Sequence, residues 1–143
     1  MRNIQFVGDH FVNGEDFEHG MVVLRACLHA LYLIDVDQWK RHPEWPGILD
    51  GYVKYLREPP GVEEWQDVAE TFRRGSGDCE DLACALAAEI TVRYGVKAHP
   101  DFTLREIPQP NGDITRMFHI FVRLPGGKRI DPSRLLGMGK NDG

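Results

Sequence analysis

A chain of 143 residues, 42% hydrophobic and 27% charged, has the size and make-up of one compact domain that buries its own core. Its formal charge of -5 and the lack of any basic run exclude an electrostatic fit to nucleic acid or to an anionic membrane surface. Three cysteines at unrelated spacings exclude a disulfide framework and a four-cysteine zinc site, which leaves at least one free thiol.

Residues 2–12 suggest a short edge strand, interrupted by Gly8, Asp9 and His10. No apolar run reaches the ~18 residues that span a bilayer, and Met1 to Asp9 lacks the apolar stretch of a signal peptide. The expectation is therefore a soluble protein made in the cytosol. Over 16–34, Phe17, Met21, Leu24, Leu28 and Leu31 recur at helical spacing, and further apolar residues fill the rest of the circumference. That pattern predicts a helix buried on most sides, with His29 as a packing residue and Cys27, like Cys84, as a small buried hydrophobe.

The stretch 36–62 holds Pro43, Pro46, Pro59 and Pro60 among Trp39, Trp45, Tyr52 and Tyr55, and reads as a wrapped aromatic loop with a short ordered piece near 51–56. Its aromatics serve either as a cleft wall or as packing onto the core. Residues 63–74 read as a short helix or turn with Trp65, Val68, Ala69 and Phe72 on one side. A second helix is predicted over 78–94, opened by Asp78 as N-cap with Asp81 completing a capping box, and closed by Gly95. After it the period changes to alternation, giving antiparallel strands across 97–131 with turns at Asn111-Gly112 and Pro125-Gly126-Gly127. The tail 139–143 reads as frayed. Helices followed by a small antiparallel sheet make the class α+β.

Cys79 sits where the helix over 78–94 begins. The unpaired N–H groups and the dipole there favour a thiolate, whereas Glu80 and Asp81 oppose one, so a cationic partner is required. His119, on a strand, supplies the base, and Asp131 supplies a carboxylate that can orient it, which completes the nucleophile, base and orienting group of thiol acyl transfer. A type II turn centred on Pro125-Gly126 would set Asp131 opposite Ile120, beside His119. A turn centred on Gly126-Gly127 would set it opposite Val122, and the first register is the expected one. Asp131-Pro132-Ser133 also reads as an N-cap followed by a proline at the first helical position, so capping stands as the other use of that carboxylate. For an oxyanion hole the Cys79 peptide N–H is the first donor, with Trp65, Gln66 and Tyr55 as candidates for the second. A metal site on Cys79, His119 and Asp131 has suitable residue types but no close CxxC or HxxxH pair, so neither metal nor cofactor is expected.

Gly77-Asp-Cys-Glu-Asp-Leu-Ala83, followed by His119 ahead of Ile120-Phe-Val and by Asp131-Pro-Ser, resembles the transglutaminase-like cysteine peptidase superfamily, including its bacterial branch whose nucleophile motif reads Gly-Asp-Cys-Glu-Asp. The likeness covers 63–138. It implies a papain-like α+β core in which the Cys79 helix packs on the sheet, with Cys79 as nucleophile, His119 as base and Asp131 as orienting residue. The substrate implied is a protein or peptide, attacked at a peptide or side-chain amide. With Glu64-Trp65 upstream and Leu135-Leu-Gly-Met138 downstream, the chain is also similar to small proteins of tailed phages and prophages. That likeness implies partners in a phage particle or its assembly, and a place in the host cytoplasm or the virion. The additional domains and calcium sites of animal transglutaminases have no counterpart in the sequence, so hydrolysis is expected ahead of cross-linking. The contrasting expectation is a non-catalytic module that keeps the fold and binds a phage protein.

Overall fold

The computed structural model describes residues 3–7, 17–58 and 62–139, and its fold is mixed α+β. At its centre lies helix α3 (Cys79–Tyr94), buried without a break from Glu80 to Glu89. Four alanines, at 83, 85, 87 and 88, let neighbouring elements approach from several sides, while Leu82 and Leu86 supply the bulk. The expected capping box forms, with Asp78 as N-cap and Asp81 reaching back to its N–H. Gly95, in the left-handed conformation at φ 65°, ends the helix as predicted.

Helix α1 spans Phe17–Arg41, seven residues beyond the expected end at residue 34. Its buried stripe runs Leu24, Leu28, Leu31, Asp35 and Trp39, so the helical period continues through a carboxylate that looks like a helix breaker in the sequence. Asp35 is tolerated because its Oδ1 accepts the Val68 N–H at 2.8 Å. The other faces of α1 are not core. His29 is exposed, Cys27 is half-buried, and Val22 and Leu33 are 65% and 51% exposed. Apolar residues in excess of what the stripe can bury had suggested burial on most sides.

The expected loop over 36–62 is thus helix to Arg41, then turns, with strand β2 at Lys54–Tyr55. Positions 59–61 lie outside the described residues, as do 2 and 8–12 of the expected edge strand, 16 of the expected first helix and 140–143 of the tail. The tryptophans pack inward: Trp39 donates its indole N–H to the Ala85 carbonyl at 3.0 Å, and Trp45 and Phe72 meet its ring edge to face.

Strand β1 (Asn3–Val7) pairs antiparallel with β3 (Val62–Gln66), so the first half of 63–74 is a strand and only α2 (Val68–Arg74) is helical. Two residues of β4 (Ser76–Gly77) then run parallel to β2 and lead into α3. The main sheet has the order β5-β6-β7, formed by His99–Pro108, Ile114–Arg123 and Arg129–Ile130, all antiparallel, and it packs Phe102, Ile120 and Val122 into the core around α3. Helix α4 (Pro132–Leu135) follows.

Neither register expected for the last hairpin occurs. Val122 pairs with Ile130 and Arg123 with Arg129, because the chain turns through three residues, Pro125–Gly127, with Gly126 and Gly127 both at φ 79°. Carried one residue further, this register sets Asp131 against Phe121. Directly paired residues share a face, so a position opposite Ile120 would have aimed Asp131 at the α3 side, away from His119. The three-residue turn brings the carboxylate to the face of His119.

Candidate active site

The approach to Cys79 depends on a glycine. A Cβ on Gly77 would stand 3.0 Å from the Asp81 Cβ, tighter than nearly all packed contacts, and 3.4 Å from Leu82 Cδ2. Asp81 is a buried tie: its Oδ2 accepts the Asp78 N–H at 3.0 Å and its Oδ1 the Gln66 N–H at 2.7 Å, which locks the first turn of α3 to β3. The Cys79 thiol is half-buried and lies 3.4 Å from Glu80 Oε2.

The main-chain N–H of Ile120 on β6 lies close enough to the sulfur to favour its thiolate. That N–H points to the β7 side of the sheet, as the Leu124 N–H does in bonding Lys128 O at 2.8 Å. Because β7 ends at Ile130, no β7 residue pairs with β6 at that position. Cys79 thus lies against β6 one residue beyond His119, and its sulfur makes no hydrogen bond to that imidazole.

Nε2 of His119 and Oδ2 of Asp131 lie 2.6 Å apart. The other carboxylate oxygen, Oδ1, accepts the Arg134 N–H at 3.2 Å and caps α4, with Pro132 at the first helical position. Orienting a histidine and capping a helix are alternatives in the sequence; here one carboxylate touches the histidine and caps the helix. Arg134 Nε, 3.3 Å from Oδ2, adds an exposed ion pair. With Nε2 engaged, Nδ1 is the ring nitrogen left to exchange a proton.

The start of α3 does not by itself favour a thiolate. Burial, followed by the negative charges of Glu80 and Asp78, pushes the Cys79 thiol well above its ordinary pKa, and the Ile120 N–H only partly offsets them. The second opposing charge is Asp78, whereas the sequence suggested Asp81. Asp81 is turned toward the N–H groups of Gln66 and Asp78, and burial pushes its own carboxyl well up. Asp78, Cys79 and Glu80 bring three potential metal-ligating atoms within 4.8 Å of one another, and among the described residues no other such group of three forms. Neither His119 nor Asp131 belongs to it, so the set considered from sequence is not the set that gathers.

Of the oxyanion donors expected from sequence, Cys79 and Gln66 have their N–H groups engaged, Trp65 lies in the core and Tyr55 lies beside Gly77. The Cys79 N–H donates to Asp78 Oδ1 at 2.7 Å. Gln66, buried, spends its amide N–H groups on Ser76 O at 3.0 Å and Thr71 Oγ1 at 3.3 Å, and so fastens the segment before Cys79. Trp65 is a core residue, 2% exposed. Tyr55 is half-buried on β2 beside Gly77, and its N–H bonds Leu136 O at 3.0 Å. Two main-chain groups were missed from sequence: the Ile120 N–H on the sulfur, and the Glu58 N–H, which donates to Asp78 Oδ2 at 3.3 Å. Main-chain donors carry no side-chain signature, and the proline-rich setting of Glu58 suggested only a loop.

No protein-family model, no curated protein and no solved structure matches this chain. Among the described residues no helix is long and apolar enough to cross a membrane.

Proposed function

We propose that this chain is a cysteine-dependent acyl-transfer enzyme with a papain-like core, related to the transglutaminase-like cysteine peptidases, which hydrolyses a peptide or side-chain amide. The observation that carries the proposal is the 2.6 Å contact of His119 Nε2 with Asp131, made one residue along β6 from the N–H that faces the Cys79 sulfur. Asp131 fixes the imidazole so that Nδ1 takes the thiol proton. The sulfur attacks the carbonyl carbon, the C–S bond forms, and the carbonyl oxygen becomes an oxyanion. His119 then returns the proton to the departing amine, and water cleaves the thioester by the same base. Because burial, Glu80 and Asp78 all oppose a free thiolate, proton transfer to His119 accompanies attack on the carbonyl.

The test is alkylation of the folded protein by iodoacetamide between about pH 5 and pH 9, with the modified cysteine mapped. The expected result is selective modification of Cys79 that falls by on the order of tenfold or more in His119→Ala. Modification no faster than that of an unfolded peptide thiol, and indifferent to His119, would overturn the proposal. It would favour the second reading, a binding module for a phage particle or its assembly, for which the raised Cys79 pKa is the supporting observation.

A further inference from the structure

The acyl-transfer reading requires donors for the oxyanion, and the side chains nearest in sequence, Trp65 and Gln66, are committed to the core and to the loop before Cys79. Two main-chain N–H groups from separate elements do converge beside the nucleophile. Cys79 N, the first residue of α3, lies 2.7 Å from Asp78 Oδ1, and Glu58 N, in the segment after β2, lies 3.3 Å from Asp78 Oδ2. Each holds one oxygen of a single carboxylate. A carboxylate held by two N–H groups places negatively charged oxygen within reach of both donors, and negative charge on oxygen is what an oxyanion hole is built to receive.

Resting on that reading, we propose that the N–H groups of Cys79 and Glu58 are the oxyanion hole of this site, and that the Asp78 side chain is its resident occupant, displaced when substrate enters. Asp78 can leave without abandoning the helix. Its side chain also accepts the Asp81 N–H, and its own N–H is held by Asp81 Oδ2 at 3.0 Å, so a rotation that keeps the Asp81 bonds releases Cys79 and Glu58 together. The segment carrying Glu58 is held close to Cys79 independently of Asp78. Leu56 N donates to Gly77 O at 2.9 Å, and Glu58 Oε2 accepts the Glu64 N–H at 2.8 Å. The second donor therefore stays in place when the carboxylate departs.

The balance of the step is simple. Attack by sulfur moves the carbonyl π pair onto oxygen, that oxygen takes the two hydrogen bonds Asp78 gives up, and collapse of the intermediate returns them. A resting site of this kind is closed to small nucleophile-seeking carbonyls and opens for a substrate whose other contacts offset the displacement of Asp78.

Asp78→Ser separates the hole from the cap. Serine is a good N-cap for the Asp81 N–H but is uncharged and too short to bridge to Glu58. The probe is N-acetylglycinal, whose carbonyl carbon bonds the sulfur while the thiol proton ends on the oxygen. The comparison is iodoacetamide, which alkylates by expelling iodide and places no charge on a carbonyl oxygen. Because aldehyde addition conserves the thiol proton while alkylation consumes the thiolate, the pH profile of alkylation reports separately the change in the thiol that loss of the Asp78 charge brings. Aldehyde affinity is expected to rise in Asp78→Ser by on the order of tenfold or more. In isotope-labelled Asp78→Ser protein, aldehyde capture should move the amide protons of both Cys79 and Glu58 downfield. An aldehyde affinity unchanged while alkylation still depends on His119, or a Glu58 amide that does not respond, overturns the oxyanion assignment alone. Loss of the His119 dependence in the parent protein overturns the acyl-transfer reading as well.

Discussion

Replacing Asp131 by Asn and by Ala separates the two uses of its carboxylate. Asn keeps an oxygen for the Arg134 N–H, now accepted by Oδ1 at 3.2 Å, and Asn and Asp are equivalent N-caps, so stability should change by only a few tenths of a kcal/mol. Ala loses the cap, which costs about 1 kcal/mol, or a fall of roughly 3–5 °C in Tm for a domain of this size. The Arg134 pair contributes little, because its side chain is 68% exposed. The histidine responds in a different order. With the Asn oxygen kept on α4, the amide NH2 faces His119 Nε2 across the present 2.6 Å contact. The ring must then accept there and carry its proton on Nδ1, the nitrogen that the proposed acyl transfer uses as base. A comparable exchange of tautomer in a hydrolytic triad costs about 10⁴ in kcat. Alkylation asks less of the base than turnover does, so the Cys79 rate near neutral pH should fall by on the order of tenfold in both variants, while only Ala melts early. The assays are iodoacetamide kinetics and thermal unfolding on the same samples. An Asn variant as reactive as the parent would refute the orienting role and leave Asp131 a helix cap.

Glu80→Gln removes one of the two negative charges that hold the Cys79 thiol up, so the pH profile of alkylation should move to lower pH; an unmoved profile would leave burial and Asp78 to set it. Gly77→Ala forces a Cβ to 3.0 Å from Asp81 and should cost about 1–3 kcal/mol in urea unfolding, which a variant as stable as the parent would contradict. Asp35 has one carboxyl oxygen without a hydrogen-bond partner among the described residues, and burial pushes its pKa well above the usual value, with the Val68 N–H opposing and Asp67 and Asp81 adding to the rise. The folded state then holds a proton that the unfolded chain releases, so stability is fullest below the ordinary carboxylate pKa and is lost as pH rises toward the raised one. Asp35→Asn should flatten the urea midpoint between about pH 5 and pH 9, and an unchanged slope would assign the dependence to other groups.

What could be read from the sequence followed local chemistry. The α3 boundaries were legible because Asp78, Asp81 and Gly95 act within one turn of the helix ends, and Asp131-Pro132 announced α4 in the same way. The strands over 97–131 were legible from alternation. Long-range or compensated features were not. The pairing of β1 with β3 joins segments about 60 residues apart in sequence, and α1 runs through Asp35 because the Val68 N–H, remote in sequence, satisfies the carboxylate. The last hairpin was misjudged by one residue, since Pro125-Gly126-Gly127 permits two- and three-residue turns alike, and that residue decides which face receives Asp131. Likewise, a carboxylate next to Cys79 can be seen in the sequence, but which of Asp78, Glu80 and Asp81 faces the sulfur is decided by hydrogen bonds to Gln66 and Glu58.

A helix of four residues is among the first elements to come apart on warming, and here its first hydrogen bond and the anchor of the histidine hang on the same side chain. Unwinding of this short C-terminal turn would set the imidazole loose while α3 and the sheet stay folded. Heat should therefore silence the thiol several degrees before the core melts, and the gap between those two temperatures, followed by Cys79 labelling and near-ultraviolet circular dichroism, measures how firmly the end of the chain is tied down.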